Sequence, residues 1–299
     1  MLLYKMEVSG LAAKIMLCAM LALAPCMLPA RDWGGIQRAK QLEKENRFEE
    51  AIAIYEQLSD KAKNDQDDQY YMSAAMAAAR RMDDSEKARQ LAGRVKNPAR
   101  KAFLLMSLAT PAECAAHYKN VDFSAWPDDI RAAAYRNRGA AFNKLEQYDE
   151  ALADFEQAVS VPGGSHVVVG SSALAAGDIY LQQLNDEARA EAMYRKTLAA
   201  TTAGYAFRNT ALLHLTDLLL KNQRNAEALA LYQDLDLNKI SIPYWQQALT
   251  RGYSKALAAN GENIKALKQL NTLLQTAKTP EAKQQLQQEI DRLAEDMLE

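Results

Sequence analysis

The chain has little cysteine, glycine, proline and histidine. Its 299 residues include 3 Cys, 12 Gly, 8 Pro and 3 His. Cys18 and Cys26 lie in an N-terminal apolar segment, so Cys114 has no partner for an internal disulfide in the rest of the chain. The fold must therefore rest on packing. The low glycine and proline content argues against an all-β chain rich in tight turns and favours long helices.

Sequence patterns for catalysis and for metal binding are missing as well. His117, His166 and His214 stand alone, and no His or Cys pair has metal-ligand spacing. The glycines of segment 161–170 lack the Lys-Ser/Thr ending of a phosphate loop, so we predict an inter-repeat loop there, with Ser165 capping the next helix. The chain is therefore predicted to be no enzyme, with no catalytic residues, no metal and no cofactor.

The overall charge also excludes a partner class. Hydrophobic residues make up 49% of the chain and charged residues 25%, which suits a packed core rather than a disordered chain. The formal net charge is −2, so the broad positive field of nucleic-acid-binding proteins is absent. We predict no nucleic-acid partner.

The first 30 residues have the pattern of a targeting segment. Lysines precede an uncharged run at 15–28, which suits a signal-peptide core and is shorter than the ~20 residues that span a bilayer. Cleavage after Ala24 would place a proline at the new N-terminus, and cleavage after Ala30 has an imperfect upstream residue. Segment 1–30 is thus predicted to be a signal peptide or, if uncleaved, an N-terminal membrane anchor, which would be the only membrane contact.

An internal repeat is the clearest signal in the sequence. Segments 46–55 and 146–155 each contain an aromatic residue, two acids, an alanine, and a second aromatic residue four positions after the alanine. Related turns recur 37–39 residues apart, except for a longer gap that must contain a degenerate unit around Cys114. The repeated alanines are Ala51, Ala88, Ala151, Ala190, Ala228 and Ala266.

These residues resemble the tetratricopeptide repeat, over about residues 35–275. The best copy spans 132–163, and Arg138 departs there from the leucine usual in the family. The matching positions are Tyr135, Gly139 and Phe142 in the first helix and Tyr148, Ala151, Phe155 and Ala158 in the second.

The resemblance implies an all-α fold over residues 31–299. We expect a right-handed α-α superhelix, a solenoid of about seven helical hairpins in which each hairpin buries its apolar face against its neighbours. A capping helix is predicted at about 280–299, because Thr279 can cap it and Pro280 suits its first turn. Its apolar stripe would be Ala282, Leu286, Ile290, Leu293 and Met297.

In this family the first helix of each repeat lines a concave groove that binds a partner. Carrying the groove positions over gives a surface with more basic than acidic residues, the acids being Glu43, Asp178 and Asp217. Two interpretations stay open: the cations bind an acidic partner, or they are the lysines and arginines of ordinary solvated helix faces. The candidate groove residues are Lys40, Lys44, Arg80, Arg81, Arg136, Asn143, Lys144, Arg251 and Lys255.

The sharpest form of this expectation concerns four of these cations. We expect Arg80, Arg81, Arg136 and Lys144 to face one acidic segment of a partner if the first helices align. Arg136, Asn143 and Lys144 echo only part of the family's carboxylate clamp, which is therefore not predicted.

The function predicted from the sequence is that of a non-enzymatic protein-protein interaction scaffold or adaptor. The targeting segment implies an exported protein, periplasmic or associated with the cell envelope. Two alternatives stay open on the same solenoid: a membrane-anchored assembly factor, and an envelope glycan-binding protein. The candidate sugar-stacking aromatics would be Trp33, Trp126, Tyr244 and Trp245.

Overall fold

The computed structural model describes residues 31–200 and 206–297, and over these residues the regular structure is helical, with no strand. The predicted targeting segment, 1–30, lies outside the described residues. Within the described residues, none of the helices combines the length and the apolar character needed to cross a membrane. The chain divides into two compact units, the first ending at Leu108 and the second beginning at Ala109.

The first unit contains five helices in the described chain. They are α1 (Trp33–Lys44), α2 (Phe48–Asp60), α3 (Asp65–Arg81), α4 (Ser85–Gly93) and α5 (Pro98–Leu108).

The second unit contains ten α-helices in the described chain and one 3₁₀ turn, Leu237–Lys239. The helices are α6 (Pro111–Tyr118), α7 (Asp128–Lys144), α8 (Tyr148–Ser160), α9 (His166–Gln182), α10 (Glu187–Ala200), α11 (Ala206–Lys221), α12 (Asn225–Ala230), α13 (Pro243–Ala259), α14 (Asn263–Thr276) and α15 (Pro280–Glu295).

Several of the helices begin where a side chain caps the first turn. Asn64 Oδ1 accepts from Asp67 N at 2.8 Å at the start of α3. Thr110 and Glu113 form a reciprocal capping box at α6. The predicted caps at Ser165 and Thr279 are confirmed at the starts of α9 and α15. These caps satisfy backbone N–H groups that a helix leaves without an internal partner.

Second helices begin after one residue in the left-handed backbone conformation. Six such residues have φ between +51° and +76°, and each lies five positions before a repeated alanine. Only the last of the six is glycine. The other five carry a side chain in a left-handed backbone conformation that glycine alone adopts without steric cost. The six are Asn46, Asp83, Glu146, Asn185, Gln223 and Gly261.

The repeated alanines form the contact between the two helices of each hairpin, as the sequence predicts. All six have 0% exposure. Four of them are followed by an aromatic residue four positions later. One of these, Tyr194, packs against a small residue of the first helix: a Cβ added at Gly177 would lie 2.7 Å from the Tyr194 ring. The absence of a side chain at Gly177 is what lets α9 and α10 approach closely.

In the part of the chain that the structure describes, the helices pair as six hairpins: α1/α2, α3/α4, α7/α8, α9/α10, α11/α12 and α13/α14. The degenerate stretch around Cys114 is divided: α5 packs against α4 in the first unit, and α6 packs against α7 in the second. The predicted count of about seven hairpins is therefore not confirmed, whereas the all-α fold of sequentially packed helices is.

The C-terminal helix covers the end of the second unit. α15 packs on α14, and Leu286 is buried there with Ala282, Ile290 and Leu293 partly buried beside it. The predicted stripe is wrong at its last position, because Met297 lies beyond the end of α15 and is 42% exposed.

Candidate partner-binding groove

Ion pairs join the first helices of successive hairpins. In the second unit, Asp178 on α9 lies 2.9 Å from His214 Nδ1 on α11, and Asp217 on α11 lies 3.3 Å from Lys255 Nζ on α13. In the first unit, Arg81 Nη1 on α3 lies 3.2 Å from Glu43 Oε2 on α1. The partners are 36–38 residues apart in sequence, which is close to one repeat. Three acids at predicted groove positions therefore contact the neighbouring first helix within their own unit.

An open cleft lies along this face in the second unit. It has a volume of about 390 Å³ and lies between the last turns of α9 and α11. Gln182 contributes from α9, and His214, Asp217 and Lys221 contribute from α11. We call this face of α9, α11 and α13, together with the predicted groove positions of α7, the first helix that packs beside α9, the groove of the second unit.

The acids at the predicted groove positions already form pairs with basic side chains of the chain itself. Glu43, Asp178 and Asp217 are the three acids at the predicted positions, and each pairs across to a neighbouring first helix. Of the predicted cations, Arg81 and Lys255 are used in this way. Lys221 likewise pairs with Glu187 on α10.

Five of the predicted cations have no carboxylate partner among the described residues. Those five carry the positive charge that a partner could neutralise. Lys40, Lys44 and Arg80 are exposed in the first unit, Lys144 is exposed at the end of α7, and Arg136 is half-buried on α7.

Arg136 is the most unusual of these groups. Its Nη2 donates to Asn137 Oδ1 at 2.9 Å, and burial lowers the pKa of the Arg136 guanidinium. A partly desolvated cation that meets no counter-charge is costly, and an approaching anion relieves that cost. Asn143, half-buried and one residue before the end of the same helix, supplies an amide at a predicted groove position.

Arg251, predicted to face a partner in the groove, lies beside the capping helix instead. It is half-buried, and its Nε lies 3.3 Å from Glu289 Oε1 on α15, without the geometry of a hydrogen bond. It therefore holds the capping helix rather than standing open to a partner. The expected convergence of Arg80 and Arg81 with Arg136 and Lys144 involves both units and stays a prediction.

His214 gives the groove a dependence on pH. Its hydrogen bond to Asp178 raises the pKa of the His214 imidazole, with the Asp217 carboxylate acting in the same direction and burial against both. Tyr194 donates to the same Asp178 oxygen at 2.9 Å and stacks edge-on against the imidazole. Protonated His214 is thus a positive link between α9 and α11.

We expect the free energy of unfolding to fall as pH rises through the folded pKa of His214. Because the folded pKa lies above the unfolded one, the stabilisation is full below the unfolded pKa, near 6.5, and is lost above the folded pKa. Urea denaturation of the full chain, at pH values below the unfolded pKa and above the folded pKa of His214, would measure this change in the free energy of unfolding. His214→Gln should remove this part of the pH dependence, whereas His166→Gln, at an exposed position, should keep it. If the stability of His214→Gln depends on pH as that of the parent does, His214 is not the group responsible.

Arg138 has a structural role that the sequence comparison missed. Its Nε and Nη2 donate to the two Asp154 oxygens at 2.7 and 2.8 Å, and both residues are buried. Its Nη1 donates to the carbonyls of Tyr118 and Val121, each at 2.7 Å. Arg138 therefore ties the loop before α7 to the α7/α8 hairpin.

A signal for this pair is present in the sequence. Asp154 stands where the matching segment of α2 has Ile54, and Arg138 stands where the family has leucine. Two polar departures at inward positions of one hairpin indicate a buried ion pair.

Two of the candidate sugar-stacking aromatics, Tyr244 and Trp245, contact each other. Trp126 packs 4.6 Å from the buried Phe123 ring, and Trp33 is 58% exposed on α1 in the other unit. Tyr244 and Trp245 are adjacent, 4.9 Å apart, at the start of α13. Cys114 is buried, as predicted. Within residues 31–200 and 206–297 no cluster of His, Cys, Asp and Glu could hold a metal ion.

Comparison with known proteins supports the repeat assignment. Residues 130–203 match the family model described as tetratricopeptide repeat. No curated protein is similar enough to the chain to count as a match. The matched segment covers α7 to α10, and the same hairpin geometry recurs on both sides of it. Residues 130–203 therefore contain tetratricopeptide repeats, within a chain whose described residues form sequentially packed helical hairpins.

Solved structures of low identity are also similar to the chain. The C-terminal part of a TPR repeat-containing protein from Cytophaga hutchinsonii is 15% identical with a TM-score of 0.39, covering 80% of this chain and 78% of its own. BtubC (BKLC) from P. vanneervenii is 16% identical with a TM-score of 0.37, covering 88% and 91%. The TPR2AB domain of yeast Sti1, in a pHSP90 complex, is 14% identical with a TM-score of 0.30, covering 87% and 95%. The assignment rests on the family match and on the repeated hairpins.

Proposed function

We propose that the chain is a non-enzymatic scaffold that binds an acidic segment of a partner protein in the groove of the second unit. The half-buried charge of Arg136, which meets no carboxylate among the described residues, is the observation that carries this proposal. A carboxylate of a partner would supply the missing counter-charge through one or two charge-assisted hydrogen bonds.

The arrangement around Arg136 supports the same conclusion. Lys144 lies two helical turns further along α7 and is exposed, so the two cations can contact successive acidic residues of an extended segment. Asn143 can bond the peptide backbone or a carboxylate oxygen. The groove acids Asp178 and Asp217 are paired with His214 and Lys255, which reduces their repulsion of an acidic segment.

We expect reversal of both α7 cations, Arg136→Glu with Lys144→Glu, to weaken binding of an acidic peptide by about tenfold or more. The probe is a labelled peptide of alternating Asp, Glu and Ala with a free C-terminus, measured by fluorescence anisotropy with the full chain. Affinity for the parent should fall as salt rises, because the contacts are charged.

A matched control separates local contacts from overall charge. Lys196→Glu with Lys268→Glu changes the net charge equally, at exposed positions on the second helices α10 and α14. This variant should bind almost as the parent does. Equal losses in both variants, or unchanged binding by a folded Arg136→Glu/Lys144→Glu chain at low salt, would contradict the proposal.

We also propose that the protein is exported to the periplasm or cell envelope. This rests on Lys5 and Lys14 before the uncharged run at 15–28. Sequencing the N-terminus of the protein from an envelope fraction tests it: a start near residue 31 supports cleavage, Met1 supports a membrane-anchored assembly factor, and recovery from the cytoplasm contradicts export.

A further inference from the structure

The second helix of the fifth hairpin is cut short. α12 ends at Ala230 after 6 residues, whereas α10 and α14 each have 14. The chain then forms turns and the 3₁₀ turn Leu237–Lys239 before α13 begins. This irregular connection, with the starts of α11 and α13, surrounds a cavity of about 330 Å³.

A buried amide lines this cavity. Asn209, in the first turn of α11, is only 6% exposed, and its side chain has no hydrogen-bond partner among the described residues. Its amide atoms are not fully buried, so they reach the open space of the cavity. A ligand with a polar group inside the cavity can therefore form a hydrogen bond with the amide.

The charged groups of the cavity leave one negative charge unbalanced. Asp236 lies 3.2 Å from Lys239 Nζ and also accepts from Asn238 N. Asp234 lines the same cavity, is exposed, and has no cationic partner among the described residues. The cavity therefore favours a cation over an anion or a neutral group.

The remaining wall is apolar and aromatic. The half-buried Trp245 ring lies on one side, with Leu235 and Ile240 beside it, and Ile242 is 50% exposed at the rim. An indole face attracts a cation, and aliphatic side chains pack against methylene groups. The four features together describe a site for a charged head on an aliphatic stem.

We propose that this cavity binds the side chain of an exposed arginine of a partner protein. Asp234 neutralises the guanidinium, Asn209 accepts one of its N–H groups, and Trp245 lies against its plane. The site lies apart from the groove of the second unit: Asn209 is eight residues from Asp217 on α11, which is about 12 Å along a helix. The chain would then contact acidic and basic parts of a partner at separate places.

The test uses two small probes that differ only in charge. They are acetyl-Gly-Arg-Gly-amide and the same peptide with citrulline, which has the shape of arginine without its charge. The reporter is the Trp245 indole N–H in ¹H–¹⁵N spectra of the full chain, assigned with Trp245→Phe. We expect the arginine peptide to shift this resonance at low salt, and the citrulline peptide to bind about tenfold more weakly.

Variants place the effect at the cavity. Asp234→Asn, at an exposed position, should weaken the arginine peptide about tenfold, and Asn209→Ala should weaken both peptides. Asp149→Asn, the same change at an exposed position on α8, should have no effect. Equal binding of arginine and citrulline peptides, no effect of Asp234→Asn, or a Trp245 shift caused only by a neutral sugar such as methyl N-acetylglucosaminide would each overturn the proposal.

Discussion

Arg138→Leu is expected to lower the free energy of unfolding by about 3–5 kcal/mol, because it breaks a buried ion pair. The substitution restores the residue usual in the family, yet it leaves the Asp154 carboxylate buried without its two donors. The carbonyls of Tyr118 and Val121 lose their shared donor as well. Urea denaturation followed by circular dichroism measures the change.

A second substitution tests the cause. Arg138→Leu with Asp154→Ile replaces the pair by apolar groups and gives position 154 the residue of the matching position in α2, Ile54. It should recover more than half of the loss, since apolar replacement of a buried pair is often nearly neutral, while the two carbonyls stay unsatisfied.

An exposed pair provides the control for the same chemical change. Arg195→Leu, at an exposed ion pair with Glu191 and Glu227, should cost less than about 1 kcal/mol. A loss of that small size for Arg138→Leu would show that the pair does not hold the loop to the hairpin.

Ala151→Trp is expected to lower the free energy of unfolding by about 2–4 kcal/mol through overpacking. Ala151 has 0% exposure at the contact between α7 and α8, in the cluster that contains Phe142 and Phe155. An indole cannot fit there unless the two helices separate. Thermal and urea unfolding of the full chain give the magnitude.

The neighbouring Ala153 serves as the matched control for this substitution. It lies on the same helix and is exposed, so Ala153→Trp should change stability by no more than about 0.5 kcal/mol. Similar melting temperatures for the two tryptophan variants would show that the repeat register is wrong.

The candidate site was predictable only in part. The sequence placed Glu43, Asp178 and Asp217 on groove faces, and the structure brings each of them against a cation of a neighbouring first helix within its unit. It did not reveal that Arg81 and Lys255 would be used in these pairs. The surface is therefore less basic than the sequence alone predicts, because carboxylates of neighbouring helices neutralise part of its positive charge. Arg136 stands out because its guanidinium is partly buried.

The sequence by itself determined the hairpins, because their signals are local. The repeated alanines, the aromatic residue four positions later, and the caps at Ser165 and Thr279 act within one or two helices, where helical periodicity fixes which side chains meet. The tertiary structure decided the Arg138–Asp154 pair, the Asp178–His214 link and the cavity beside Trp245. Each of these depends on how separate helices approach in space, and the periodicity within one helix does not determine which side chains pair across helices.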